Sequence, residues 1–181
     1  MLKHKTTLLF VFLITGFISF TNSFSQDKPA FVDEFIGQLD YVEGKLLQLE
    51  DAMPQDKMSW TPAEGVRTTA QIYLHVAEAN YFLGTKMGGK MPENEIDMSI
   101  TDKAKIAEIL KASFENAKTL AAKVTAEDLN KTIKSPFGEM TMRNLMVSLL
   151  NHSHEHLGQG IAYARMNGVV PPWSKKQKDK G

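Results

Sequence analysis

Histidine is the residue type in this sequence with the clearest capacity for chemistry. The 181-residue chain has five histidines and no cysteine, so disulfides, thiolate nucleophiles and cysteine-rich metal sites are excluded. Three of the histidines, His152, His154 and His156, fall within five consecutive residues. Packing alone does not explain this clustering, and imidazole nitrogens are common ligands of zinc and related metals.

The spacing of these histidines selects two of them as ligands. A helix turns by about 100° per residue, so His152 and His156 lie about 40° apart and one turn along the axis. Such an i, i+4 pair is a recurrent two-ligand unit for zinc-like metals. His154 lies about 200° from His152 and is expected to face away. Gln159 and Tyr163 return to the His152 direction, and we predict that both border the pocket.

A third ligand must come from another helix, and His75 is the remaining histidine outside the N-terminal leader described below. It lies in an apolar stretch between Leu74 and Val76, where a lone histidine could also be a hydrogen-bonded core residue. We favour a ligand, because buried polar groups need partners and one metal would serve all three imidazoles. Three histidines leave a coordination position open for water or substrate, whereas structural zinc sites are closed by four protein ligands.

The predicted cofactor is one divalent metal ion. Zinc is the first expectation, with nickel, iron or cobalt as alternatives, because ligand type alone does not select among them. Glu78 lies one turn from His75, and Glu155 directly precedes His156. Either carboxylate could orient a ligand or act as a general base, and either could equally be a solvated helix-face residue. Phe82 is the remaining residue predicted to line the pocket.

Four segments with helical periodicity are predicted to position these side chains. Apolar residues recur in each at spacings of three and four, the period of a buried helix face. The segments run from about Pro29 to Met53, from Thr68 or Thr69 to Gly88, from a cap at Thr101–Asp102 through Leu120, and from a cap at Thr141 to Asn167. Sustained period-two alternation is missing, so no substantial sheet is expected, although residues 137–140 suggest a turn or a short extended pair. The predicted fold class is therefore all-α, a four-helix bundle.

Residues 1–25 have the order of a secretory signal peptide. Two lysines precede a largely apolar run from Leu8 to Phe20, and a polar segment ends at a candidate cleavage site before Gln26. The alternative is an uncleaved anchor, but the run is short for a spanning helix, which needs about 20 apolar residues. We expect cleavage, export to the periplasm or the medium, and no stable membrane span afterwards. A single domain over residues 29–173 and a flexible polar tail over 174–181 complete the chain.

The charge of the mature chain limits its partners. Removing the leader takes away two lysines and no acid, which leaves 19 basic and 21 acidic residues, a net charge of −2. A nucleic-acid partner is not expected, because such partners usually require a basic face. The expected partner is a small-molecule substrate or ligand of unknown identity. No serine–histidine–aspartate pattern, phosphate loop or nicotinamide fingerprint occurs, so the metal would have to supply any chemistry.

The histidines belong to a larger set of motifs. These are Trp60-Thr61-Pro62-Ala63-Glu64-Gly65, Ile72-Tyr73-Leu74-His75-Val76-Ala77-Glu78, Asn151-His152-Ser153-His154-Glu155-His156-Leu157-Gly158-Gln159, and Ala164-Arg165 with Gly168 and Pro171-Pro172. In order and spacing they resemble the DinB-like superfamily over about Phe31 to Trp173. That superfamily includes proposed metal-dependent hydrolases, thiol-dependent S-transferases and the mycothiol-dependent maleylpyruvate isomerase.

The resemblance implies a four-helix bundle with a three-histidine metal site near one end, often assembled as a homodimer. Its ligand positions fall on His75, His152 and His156, and His154 has no ligand role in that pattern. Gly158 is expected to allow close approach of a neighbouring helix. The better-understood members work in the cytoplasm with low-molecular-weight thiols, which an exported protein would not obviously meet.

The expected function is that of an exported metal-binding bundle acting as a metal-dependent hydrolase or transferase through an open three-histidine site. The alternatives are a stress-related metal- or ligand-binding protein without turnover, and an interaction scaffold whose metal site has lost its function. A deep cavity lined by Phe82, Tyr163 and a buried carboxylate would favour catalysis. A fourth protein ligand closing the metal would exclude it.

Overall fold

Four long helices make up most of the structure, a computed structural model that describes residues 29–135 and 137–174. They are α1 (Ala30–Ala52), α2 (Thr69–Gly84), α3 (Lys103–Ala121) and α4 (Met142–Met166), with a hairpin of β1 (Thr132–Ser135) and β2 (Gly138–Thr141) before α4. Short 3₁₀ turns occur at Gln55–Lys57, Thr85–Met87, Asp128–Asn130 and Pro172–Ser174. The all-α prediction is confirmed, while the predicted signal peptide and residues 175–181 of the predicted tail lie outside the described residues.

Polar side chains start three of the helices, as the sequence predicts. Thr68, one of two candidates for α2, accepts a hydrogen bond from the Gln71 backbone N–H at 3.2 Å, and the Gln71 side chain accepts one from the Thr68 N–H at 3.0 Å. Asp102 and Thr141 each accept from the N–H three residues further on. These bonds satisfy backbone donors that have no partner within the helix, each typically worth about 1 kcal/mol.

The end of α2 differs from the expectation that the helix runs to Gly88. The α-helix stops at Gly84, one 3₁₀ turn follows, and Gly88 has a φ of 88°. A Cβ at Gly89 would lie 2.5 Å from the Leu120 side chain. The chain therefore turns back tightly against α3 because residue 88 tolerates positive φ and residue 89 has no side chain.

The hairpin between α3 and α4 contains the predicted short extended pair. Its strands are antiparallel, with Thr132 opposite Thr141 and Ser135 opposite Gly138. The Ser135 hydroxyl donates to the Gly138 carbonyl at 2.8 Å and accepts from the Phe137 N–H at 3.1 Å. The turn thereby presents Phe137 to the surface, 68% exposed.

The helices do not pack in chain order. α1 packs against α3 and α4, and α2 packs against the same two, so consecutive helices α1 and α2 lie diagonally across the bundle. Contacts between Asn80 and Ser113 and between Gly84 and Leu120 show that α2 and α3 are parallel. The long connection of residues 85–102 returns the chain to the same end of the bundle, as a parallel pair requires.

The other pair of parallel helices is α1 and α4. The Arg143 guanidinium lies 4.2 Å from the Phe31 ring centroid near the start of both helices, and Gly160 meets Leu49 towards their ends. Residues of α2 meet residues of α4 in reverse order, as the His75–His152 and Tyr73–Gly160 contacts show. α2 and α4 are therefore antiparallel, which places their histidines at one level of the bundle.

The core is apolar and receives side chains from all four helices. Its largest fully buried aliphatic and aromatic members include Leu39, Leu46, Ile72, Leu74, Ile106, Leu110, Phe114 and Leu145. Burying each such side chain contributes about 1.5–3 kcal/mol relative to leaving it exposed. None of the helices in the described part of the chain is both long and apolar enough to cross a membrane.

Close approach of α4 to its neighbours occurs at Gly160. A Cβ there would lie 3.1 Å from the Leu49 side chain and 3.8 Å from the Tyr73 hydroxyl. Gly158 is exposed, and nothing lies within 4 Å of its Cβ position, so the expectation of a close approach there is wrong. Two residues correspond to about 200° of helical rotation, so only one of the two glycines can face the core.

Two carboxyl groups of α1 are buried, and one of them, Glu43, is paired with Lys118 at 2.9 Å. Glu50 is 3% exposed, and its Oε1 has no hydrogen-bond partner among the described residues. Burial raises the pKa of Glu50 from 4.5 to about 6; the nearby Lys103 charge opposes this shift and Asp51 adds to it. The folded protein therefore binds the Glu50 proton more tightly than the unfolded chain does.

Replacing Glu50→Gln should stabilise the metal-free protein at pH 8 and have little effect at pH 4. Because the folded pKa is the higher one, Glu50 has its most favourable contribution below about pH 4.5 and loses it as the pH rises through about 6. That shift corresponds to about 2 kcal/mol. Urea unfolding at both pH values measures the difference, with the exposed Glu34→Gln as control. An equal change in unfolding free energy at both pH values would contradict the assignment.

Candidate metal centre

Three imidazoles meet between the antiparallel helices α2 and α4. The Nε2 atom of His152 lies 3.1 Å from Nε2 of His75 and 3.2 Å from Nε2 of His156. The ring centroids are 4.5–5.0 Å apart, and each pair of rings is arranged edge to face. One nitrogen of each ring therefore points at a common centre.

This centre fits one divalent ion. With metal–nitrogen distances of about 2.0–2.1 Å, tetrahedral coordination separates the ligand nitrogens by about 3.3 Å. The distances from Nε2 of His152 to the other two ligands, 3.1 Å and 3.2 Å, are close to this value, and all three ligand atoms lie within 4.8 Å of one another. Three nitrogens converging at this distance cannot all be satisfied by hydrogen bonds to one another, because a neutral imidazole has only one N–H. Within the described residues, no other histidine, aspartate or glutamate joins the three histidines in the group.

A chain of hydrogen bonds fixes the tautomer of His156. The Tyr163 hydroxyl donates to the Arg67 backbone carbonyl at 3.2 Å, and the Gln159 amide nitrogen donates to the Tyr163 oxygen at 3.2 Å. The Gln159 amide oxygen then faces Nδ1 of His156 at 2.8 Å. Since that oxygen can only accept, the proton of His156 is on Nδ1 and the lone pair of Nε2 is available to a metal.

The loop before α2 supports this chain of bonds. The Trp60 ring packs edge-on against the Tyr163 ring with centroids 5.2 Å apart. The Trp60 carbonyl accepts a hydrogen bond from the Thr69 N–H at 2.9 Å, which ties the loop to the first turn of α2. The Trp60–Gly65 motif thus begins with a residue that holds Tyr163 in place.

The other two imidazoles have weaker outer support. Nδ1 of His75 lies 3.5 Å from the Glu78 carboxylate and 3.4 Å from the Arg67 guanidinium. A proton on Nδ1 would face Glu78 and leave Nε2 free for a metal, whereas Arg67 can only donate and favours the other tautomer. Nδ1 of His152 is buried and has no hydrogen-bond partner among the described residues.

The electrostatic environment keeps two of the ligands neutral. Burial lowers the pKa of His75 to about 4, and the Arg67 charge acts in the same direction. Burial likewise lowers the pKa of His152 to about 4, with smaller contributions from the neighbouring histidines. Both rings therefore carry free lone pairs at neutral pH, where protons compete little with a metal for these ligands.

An apolar cavity of about 350 Å³ opens beside the imidazoles. Its lining comes from α2, from α4, from the connection after α2 and from the hairpin turn: His75, Glu78, Ala79, Phe82, Leu83, Met91, Phe137 and His152. Phe82, which the sequence predicts in the pocket, is one of these lining residues. Glu78 also reaches the cavity, although its side chain is 47% exposed and so is not buried as the catalytic alternative anticipated.

The remaining predicted site residues lie outside this cavity. Gln159 and Tyr163 are not among its lining residues; they lie behind His156, because they are one and two turns further along α4 towards the Trp60 loop. Glu155 is exposed and also absent from the lining. Nδ1 of His154 lies 3.0 Å from the Leu150 carbonyl, outside the three-histidine group.

Outside the helices, three residues near the site were not predicted from the sequence. Arg67 contacts His75, while Met91 and Phe137 form part of the cavity wall. All three lie outside the helices, where no periodicity indicates which way a side chain faces. An exposed aromatic residue beside the turn glycine Gly138 is the one local signal that could have suggested Phe137.

The sequence matches the family model described as the DinB superfamily over residues 38–159. The chain belongs to the DinB superfamily. Among curated proteins, none matches the sequence. The family predicted from the Trp60, His75 and His152–Gln159 motifs is therefore confirmed. Membership of this family agrees with the observed four-helix bundle.

Solved structures of other DinB-like proteins share the fold. One, from Bacillus cereus, superposes with a TM-score of 0.67 at 22% identity over 77% of this chain and 95% of that one. YfiT from Bacillus subtilis has a TM-score of 0.65 at 19% identity over 77% and 89% of the two chains. It is described as a probable metal-dependent hydrolase with an unusual four-helix bundle topology. At these identities the likeness shows the fold.

Removing either histidine of α4 should abolish stoichiometric metal binding. We expect one divalent ion per chain in the wild-type protein after reconstitution, and far less in His152→Ala and His156→Ala, since each loses a ligand. His154→Ala is the matched control and should keep its metal. Elemental analysis of the purified proteins provides the measurement. Full occupancy in both ligand variants would reject the site.

The hydrogen bond from His156 to Gln159 should strengthen metal binding. Gln159→Leu removes the acceptor for the Nδ1 proton, and loss of such an outer partner typically lowers metal affinity about 10–100-fold. Competition with a chromogenic chelator measures the affinity, and the exposed Gln48→Leu on α1 is the control. Unchanged affinity in Gln159→Leu would show that the tautomer of His156 does not depend on Gln159.

Proposed function

We propose that this DinB-superfamily protein is a metal-dependent hydrolase. The observation that carries the proposal is the convergence of three Nε2 atoms beside an apolar cavity, with no fourth protein ligand among the described residues. A structural site would be closed by a fourth ligand, whereas an open position leaves room for substrate. The description of YfiT as a probable metal-dependent hydrolase agrees with this proposal.

In this proposal the histidines would bind the metal ion and Glu78 would act as the general base. A zinc ion held by His75, His152 and His156 would supply a Lewis acid for attack on a carbonyl group. Glu78 is the carboxylate in the cavity wall, which supports assigning to it the role of taking a proton from the attacking water. The water oxygen bonds to the carbonyl carbon, the carbon–nitrogen or carbon–oxygen bond breaks, and the proton passes through Glu78 to the leaving amine or alcohol.

Export is part of this proposal and depends on the N-terminal segment alone. N-terminal sequencing of the protein purified after expression of the full chain in a bacterial host would begin at Gln26 if the leader is removed there. An exported hydrolase would act on small molecules outside the cytoplasm, away from its low-molecular-weight thiols. Assembly as a homodimer and the absence of a nucleic-acid partner remain predictions from the sequence.

Glu78→Gln should lower turnover without loss of zinc. Loss of a general base typically lowers the rate by about 10²–10⁴-fold. The assay screens the zinc-loaded protein against ester, amide and thiol-transfer substrates and then compares Glu78→Gln with Glu155→Gln. The control should keep full activity, because Glu155 is exposed and does not line the cavity.

The same screen can contradict the hydrolase proposal in two ways. Thiol transfer without hydrolysis would identify a transferase. Zinc retention with no turnover on any panel would favour a metal- or ligand-binding protein. Equal turnover in wild type and Glu78→Gln would leave a hydrolase but remove the role of Glu78.

A further inference from the structure

Part of the exposed apolar surface of this protein is gathered at one opening. Eight large apolar side chains are exposed in the described part of the chain, and three of them, Phe82, Met91 and Phe137, line the cavity beside the histidines. They come from α2, the connection after α2 and the hairpin turn, so three separate segments bring them together. Grouped exposed apolar side chains usually mark a binding surface, whereas scattered ones are normal.

This cavity is continuous with the candidate metal centre, because His75 and His152 form part of its wall. Its volume of about 350 Å³ lies at the lower end of the range of roughly 300–1,000 Å³ that is typical of small-molecule pockets. It therefore suits a small molecule rather than a macromolecule. A ligand bound at the metal through one end would have its adjoining group against the apolar wall.

The charged side chains next to the cavity lie at its histidine end. The Glu78 carboxylate is the only acidic or basic group besides the histidines among the described lining residues, and it lies 3.5 Å from Nδ1 of His75. The Arg67 guanidinium lies 3.4 Å from the same atom and is not part of the lining. Phe82 follows Glu78 by four residues, which is about 6 Å further along α2. The wall beyond Glu78 is therefore apolar.

An ionised group on a ligand would lose its water against this wall without gaining a partner. Glu93 and Glu95 line a neighbouring groove but not the cavity, so they are not part of the surface that such a group would contact. Burying an unpaired charge is strongly unfavourable, whereas each methylene group that leaves water favours binding by up to about fourfold. The wall therefore selects an apolar, uncharged group.

The position of Glu78 distinguishes the two ends of a substrate. In the proposed hydrolysis Glu78 passes a proton to the leaving group, so the leaving group must lie beside this carboxylate. The Glu78 side chain is 47% exposed, which places that end of the substrate towards solvent. The group on the other side of the scissile carbonyl, the acyl group, is then the one that faces the apolar wall.

We infer that the substrates are esters or amides with an apolar, uncharged acyl group, and that Phe82, Met91 and Phe137 determine this specificity. The inference rests on the proposed hydrolase function and deepens it by naming the substrate class. Compounds with a charge within a few atoms of the scissile carbonyl, on the acyl side, are disfavoured. Acylated amino acids and phosphorylated acyl compounds therefore differ: the former can carry their carboxylate on the leaving-group side, whereas the latter carry their charge against the wall.

Hydroxamates with different tails test the inference without turnover, because they share one metal-binding group. Isothermal titration calorimetry on the zinc-loaded protein compares acetohydroxamate, hexanohydroxamate, 6-aminohexanohydroxamate and 5-carboxypentanohydroxamate. We expect hexanohydroxamate to bind at least about 10-fold more tightly than acetohydroxamate, because its four additional methylene groups leave water. Both charged tails should bind at least about 5-fold more weakly than hexanohydroxamate, and added salt should change this loss little, since its cause is lost hydration.

Matched variants assign the effect to the wall. Phe82→Ala, Met91→Ala and Phe137→Ala should each reduce the ratio of hexanohydroxamate to acetohydroxamate affinity by about threefold or more, with zinc content unchanged. Met166→Ala and Tyr41→Ala remove exposed apolar side chains outside the cavity and should leave the ratio as it is. All five side chains are exposed, so the variants are expected to fold.

The outcomes separate this inference from the proposed function. Equal binding of acetohydroxamate and hexanohydroxamate, or charged tails that bind as tightly as the uncharged one, would overturn the substrate class and leave the hydrolase proposal standing. An unchanged affinity ratio in all three wall variants would overturn the assignment of specificity to these residues. Failure of every hydroxamate to bind while zinc stays in place would overturn both proposals, because the metal would then have no open position.

Discussion

The meeting of three imidazole nitrogens between α2 and α4 is the contact on which the candidate site depends. Nε2 of His152 lies 3.1–3.2 Å from Nε2 of His75 and of His156, and hydrogen bonds among the three rings cannot satisfy all three nitrogens without an ion. The bundle therefore has to hold them together through packing elsewhere, including the close contact of Gly160 with Leu49 and Tyr73. A ligand that binds only the folded state adds to stability, so a bound ion would reinforce the same helix pair.

Support for the three ligands is unequal. His156 is tied through Gln159 and Tyr163 to the Arg67 carbonyl, so its orientation is linked to the loop that leads into α2. His75 lies between an acceptor and a donor, which favour opposite tautomers. His152 has no outer partner in the described part of the protein. The tautomer and orientation of His156 are therefore the most firmly held of the three. The tautomer of His75 depends on whether its Nδ1 bonds to Glu78 or to Arg67.

Some buried polar groups elsewhere in the core, unlike the histidines, do not converge on a shared centre. Glu50 Oε1 and the Tyr73 hydroxyl are both buried without a hydrogen-bond partner among the described residues, and burial raises the pKa of each. Unpartnered buried polar groups cost about 1–3 kcal/mol each. Tyr73 lies two residues before His75. One of these unpartnered groups is therefore close in the chain to a ligand of the candidate metal centre.

Much of the architecture follows from the sequence because helix periodicity and capping are local. The four helices and the caps at Thr68, Asp102 and Thr141 were predictable from residues close together in the chain, and the family from the order and spacing of short motifs along it. The angle between positions 152 and 156 is likewise a property of a single helix. The signal peptide is a prediction from the sequence alone, since residues 1–28 lie outside the described structure.

Tertiary structure decided what local patterns cannot specify. Periodicity shows which face of a helix is buried but not which helix covers it, so the diagonal placement of α1 and α2 and the close approach at Gly160 instead of Gly158 were not predictable. Gln159 and Tyr163 share the direction of His152, yet their distance along α4 places them behind His156, outside the cavity. The cavity wall at Met91 and Phe137 comes from connections, whose positions are set by long-range packing. The sequence by itself determined the ligand type and the helices that present it, and only the folded bundle decided what surrounds the open side of the site.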